Sequence, residues 1–200
     1  MVETAICAPV FFLLLFFVFE LAYDAFLQAA LEATLATTAQ QIETGDTTAA
    51  TAANFISSYA CKNTLGLLNC NKLYMRVETF SPSAGTCADY YAATTGLPPV
   101  SGNAVELSDY VGTSAGSGGN IGSTSCSTSG TTAFCDPLPQ QKIILSAVYL
   151  APSFLGGLLP IAAYSYTDGH RYHVAFATVG FETENFGIIG TEPAPCPASA

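Results

Sequence analysis

The sequence predicts an α+β chain. A long N-terminal hydrophobic helix, suited to a membrane or to a bundle of like stems, precedes a small disulfide-bonded head with a short antiparallel sheet. Three observations carry that expectation. Sixteen consecutive residues, Thr4 to Phe19 (TAICAPVFFLLLFFVF), form an apolar run, and the first 22 residues hold no Lys, Arg or His. Six of the seven cysteines lie beyond residue 60, in the more polar part of the chain. Three later segments are rich in β-branched and aromatic residues, as strands require. Two hundred residues allow one globular domain plus a stem. Residues 1–45 form the expected stem, with 1–22 in lipid or in the core of an assembly, and 46–200 the extracytoplasmic head.

The first element is a helix from Val2 to about Ile42, bent at most at Pro9, where the ring removes one hydrogen bond. A secretory signal peptide would have a basic start, a short apolar core and a small-residue cleavage site. Here the apolar stretch instead continues through Glu20 and Asp24 into LAYDAFLQAALEATLATTAQQIETG, which still reads as helix. A rod of this length reaches roughly 60 Å, twice the ~30 Å hydrocarbon core of a bilayer. Its first half can sit in lipid and its second half must stand clear. Val10, Leu13, Leu14, Phe17 and Leu21 are the expected packing residues of the stem. Leu27, Leu31 and Leu35, with Phe26 and Ala30 beside them, form a stripe facing the head or a neighbouring helix. Glu20 and Asp24, one turn apart, read as the point where the helix leaves lipid rather than as a di-acid site. Cys7, inside the apolar run, reads as a small buried hydrophobe.

Gly45 is the expected cap of the rod. Thr47 to Cys61 reads as a shorter helix with Phe55, Ile56 and Tyr59 on its apolar face. Strands are expected at Leu73–Phe80, Ile143–Leu150 and Arg171–Phe181, the last entered by an Asp168–Gly169 turn. The sheet is expected to be hydrophobic on one side and packed on the stem. Between the first two strands lies a Gly/Ser/Thr-rich insert, residues 84–137, and the Pro-rich tail from Glu192 reads as an extended strap.

Fifteen acidic residues against five basic ones give a net charge of −10, and all five basic residues lie beyond residue 61. Phosphate neutralisation has no basic patch to use, which argues against nucleic acid as a partner. Cys61, Cys70, Cys87, Cys126, Cys135 and Cys196 form an even set that indicates disulfides and an oxidising compartment. Short loops favour Cys61–Cys70 and Cys126–Cys135, leaving Cys87 with Cys196. Zinc is the alternative, but no two cysteines stand in C-x₂₋₄-C spacing. Asp168, His170 and His173 do not form a ligand pattern and read as exposed turn polars. The chain has no G-x-S-x-G elbow and no phosphate loop, so nothing points to catalysis, to a cofactor or to a small-molecule substrate.

Val2-Glu3, an apolar stretch with Pro9, and Phe19-Glu20-Leu21 resemble the N-terminus of TadE-like proteins, pilins or pseudopilins of the tight adherence (type IV-like) pilus. Cys61 and Cys70, the strand after them, and Val174 to Glu182 through Phe186 resemble that family's later segments; the insert is not covered. The resemblance implies a pilin-like fold, an inner-membrane stage, and a surface or extracellular filament built from copies of the chain or related pilins through the N-terminal helix. It also implies a role in assembly register for Glu3, although the family's acid usually stands at the fifth mature position. Physics supports such a role, because a carboxylate at the buried end of a helix costs about 2.5–3.5 kcal/mol unless paired. A neighbouring chain's α-amino group would supply the pair. The alternatives are a single-pass accessory subunit docked to a larger bacterial membrane complex, and a surface-binding module using Tyr90, Tyr91 and Tyr110.

Overall fold

In the computed structural model the described residues are 2–44, 55–64, 66–80, 100–101, 104–105, 107, 110–112, 142–152, 163–165 and 171–184. A single helix, α1 (Val2–Glu43), runs unbroken through Pro9. A π-helical turn, Ile56–Ala60, continues into one α-turn, Cys61–Asn63, and a 3₁₀ turn follows at Cys70–Lys72. Phe55 and Ile56 are buried and Tyr59 packs beside them, as their spacing predicts. The strands are β1 (Leu73–Phe80), β2 (Val100–Ser101), β3 (Ala104–Val105), β4 (Val111–Gly112), β5 (Lys142–Pro152), β6 (Ala163–Ser165) and β7 (Arg171–Glu182). The three long ones, β1, β5 and β7, are the three expected from sequence, each within two residues at either end.

The main sheet has the order β4-β1-β5-β7-β6, with every pairing antiparallel. β5 is its centre, pairing Leu145 with Val77 on one side and with Val179 on the other. Side chains alternate across a strand, and one face takes Leu73, Met75 and Val77 of β1, Leu145, Ala147, Tyr149 and Ala151 of β5, and Ala175 and Ala177 of β7. Onto this face α1 lays Leu27, Leu31, Leu35, Ala39 and Ile42, which follow one helical stripe. Alanines at 147, 151, 175 and 177 keep the sheet surface low, so the helix settles close. Phe26, expected beside the stripe, points outward at 50% exposure.

The sheet is not one-sided. Tyr74, Val148, Leu150 and Tyr172 form a second apolar cluster on the opposite face, closed by Val105, Leu107 and Tyr110. Tyr110 is therefore part of a core and not an outward-facing contact residue. β5 is apolar at successive positions, IILSAVYL, which is how a strand covered on both faces reads. At this cluster's rim the Lys72 ammonium donates to the Tyr172 hydroxyl at 3.0 Å.

α1 and β7 run side by side in the same direction. His173 meets Glu20, the Gln28 side-chain amide donates to the Phe176 carbonyl at 2.8 Å, and the Glu184 N–H donates to the Glu43 carbonyl at 2.9 Å. The advance from Glu20 to Glu43 along a helix is about 35 Å, and from His173 to Glu184 along a strand about 36 Å. The two elements therefore stay in step from His173 to Glu184. A disulfide, Cys61–Cys70, with Cα atoms 5.8 Å apart, closes the turn region, in which Gly66 adopts φ +76°. Asn63 donates to the Gln41 side chain at 3.1 Å, and the Asn69 N–H donates to the Tyr149 hydroxyl at 3.2 Å. The disulfide-closed turn is thus tied to both α1 and β5.

Outside the described residues lie Gly45, the Thr47–Asn54 part of the shorter helix, nearly all of the insert, Cys87, Cys126, Cys135 and Cys196, Tyr90 and Tyr91, Asp168 to His170, and the tail.

Candidate functional site

α1 divides into two halves with different surroundings. From Cys7 to Phe19 the head covers almost nothing: Val10, Leu13 and Leu14 are 49–60% exposed, Leu21 is 47% exposed, and Phe17 is half-buried. Cys7 is likewise exposed on the isolated chain rather than buried, because among the described residues no part of the head reaches that end. The bareness extends round the helix, since Phe11, Phe12, Phe16 and Phe19 are more than half exposed as well. Among the described residues this is the one helix long and apolar enough to cross a membrane. Glu3 lies within the helix, and its side chain is outside the described residues.

The change of surroundings falls at Glu20, which is 8% exposed. Its carboxylate Oε1 lies 2.7 Å from His173 Nε2, and Asp24 Oδ2 lies 3.1 Å from His173 Nδ1. Helical spacing places the two acids one turn apart on the same face. Strand alternation places His173 in register with Ala175 and Ala177, on the sheet face that meets α1. The imidazole thus lies between two carboxylates at the head's stem-side end. Among the described residues, the second oxygen of Asp24 is buried without a hydrogen-bond partner.

Asp24 stands beyond the apolar run. Burial pushes its carboxyl above the ordinary value; the His173 ring pulls it back, and the Glu20 carboxylate adds to the rise. Burial also raises the Tyr23 phenol, reinforced by Tyr149 and Asp24. The ring's two nitrogens point in opposite directions, so the two carboxylates are held on opposite edges. A metal on one nitrogen would have one acid out of reach, and no cluster of metal-ligating side chains is present among the described residues. This arrangement is suited to holding a proton between charged groups.

His173, expected from the sequence to be an exposed turn polar, has a side chain that is 13% exposed and paired on both nitrogens. The missed signal was parity. His173 occupies an odd position in a strand whose odd positions face the helix, and Glu20 with Asp24 supplies an i, i+4 acid pair on that helix. Glu20 and Asp24 do stand near the end of the apolar run, as expected, but both are also bound to the head. Compared with family models, with curated proteins and with solved structures, the chain matches none.

Proposed function

We propose that the chain is a structural, TadE-like pilin subunit that assembles through its N-terminal helix into a tight adherence type surface filament, serving adhesion or filament assembly. The observation that supports this reading best is the bare half of α1. Nine large apolar side chains between Val10 and Leu21 stand 47% exposed or more on a helix whose second half has its leucine stripe buried by its own head. In water that surface would cost on the order of 10 kcal/mol, and a patch of this size calls for lipid or for other helices. Lipid meets the need before assembly, and like stems meet it afterwards. Transfer from lipid gains little from hydrophobicity, so close packing of Val10, Leu13, Leu14, Phe17 and Leu21 would select the arrangement. A head-to-tail contact that does not close gives a filament. Glu3, near the leading end, would set the axial register by seeking a neighbour's amine.

Cross-linking tests the proposal. With Cys7→Ser and Leu14→Cys in the full chain, sheared surface fractions are expected to contain disulfide-linked copies. Co-isolation in a small fixed ratio with one membrane complex would favour the accessory-subunit reading instead. A full chain that is single and soluble without detergent overturns both.

A further inference from the structure

We propose that Glu20, His173 and Asp24 form a proton-operated latch that holds the stem-side end of β7 on α1 and releases it as pH rises. The proton count comes from geometry. Each ring nitrogen lies within hydrogen-bond distance of a carboxylate oxygen, at 2.7 Å and 3.1 Å. A neutral imidazole has one N–H and one lone pair, so it can donate to one carboxylate only. The second contact needs one more proton, either on the ring or on a carboxyl. Without that proton a lone pair faces an anionic oxygen in a place that is largely shielded from water.

Among the described residues the apolar cover at this end is lighter, coming from the half-buried Tyr23 ring and from alanines of the sheet. The helix stripe begins at Leu27, after both acids, and the sheet offers Ala151 opposite His173, with Ala175 next on the same face of β7. Farther along, Leu27 to Ile42, the Gln28 contact and the Glu184–Glu43 hydrogen bond hold α1 without any titrating step. Proton loss therefore opens one end and leaves the core intact, a local rather than a global transition. Among the described residues the titratable groups at the ring are Glu20 and Asp24 on α1, with Tyr23 beside Asp24 and Tyr149 approaching Tyr23 from β5.

Linkage gives the sign. A docked form that binds more protons than the released form loses stability as pH rises, and burial at Asp24 acts in the same direction. The device stands independently of the filament reading, because it uses contacts within one chain.

Hydroxyl-radical footprinting of the full chain in detergent micelles tests it, with each rate normalised to the unfolded chain at the same pH. Modification of Tyr23 and Tyr149 is expected to rise about threefold or more between about pH 6 and about pH 9. Met75, buried under the helix stripe, is the internal reference and should stay protected. His173→Gln should abolish the step, and Asp24→Asn should abolish it or move its midpoint to lower pH, because a side-chain amide can donate to the neutral ring's lone pair. A flat wild-type profile overturns the proposal, as does an unchanged step in His173→Gln. If that variant fails to protect Met75, an unshifted midpoint in Asp24→Asn is equally decisive against it.

Discussion

His173 is the residue on which head and stem meet electrostatically, and its removal should be felt more than its single ring would indicate. His173→Ala leaves two acids one turn apart, both largely shielded, with the ring they share gone. Breaking a buried pair from one side costs on the order of 3 kcal/mol, so a loss near that size is expected in chemical denaturation of the detergent-solubilised chain. Leu31 is fully buried at the centre of the helix stripe. Leu31→Ala should cost about 2–5 kcal/mol, the range for a large-to-small change in a packed core, and should leave the pH dependence unchanged. Asp24 adds a signed expectation of its own. Its carboxyl is raised in the folded state, so its contribution is complete below the ordinary carboxylate range and declines as pH climbs through its folded value. A stability profile that climbs over that interval in wild type, and no longer does so in Asp24→Asn, contradicts this reading of the site.

At the scale of elements, the Cys61–Cys70 disulfide closes a short loop between the π-helical turn and β1. Loop-closure entropy for a ring of this length is about 2–3 kcal/mol. Cys61→Ser/Cys70→Ser should lower denaturation stability by an amount of that order and increase proteolytic cleavage around Gly66. The elements themselves were largely legible in the sequence. The apolar run and the leucine spacing located α1, and β-branched and aromatic residues located β1, β5 and β7. Less legible was what lies across the sheet. Short pieces around Val105, Leu107 and Tyr110 cover the second face, and a few residues inside an irregular insert leave no periodicity to read. The site escaped for a related reason. Glu20 and Asp24 carry the helical signal and His173 the strand signal, but joining them requires knowing that β7 lies along α1. The sequence separation of about 150 residues hides that pairing.

For the whole molecule, the controlling fact is that one helix serves two environments. Beyond Glu20 one stripe of the helix is covered by the chain's own sheet, and before it the described side chains are largely bare. Leu14→Arg places a charge on the bare band and should cost about 2.5–3.5 kcal/mol of insertion near the centre of a bilayer. Carbonate extraction of membranes should then release more of the variant than of the parent. Circular dichroism should show the same helix and sheet content, because none of the described head residues packs on that position.

The three ties between α1 and β7 also have a mechanical meaning. Strand and helix point the same way and are joined at both ends and between, so a pull along the rod loads those ties together, in shear. A sideways push instead tests the tie at Glu20 first, with the others engaged only after it yields. The chain is therefore built to be stiff under tension and to yield under bending at one chosen place.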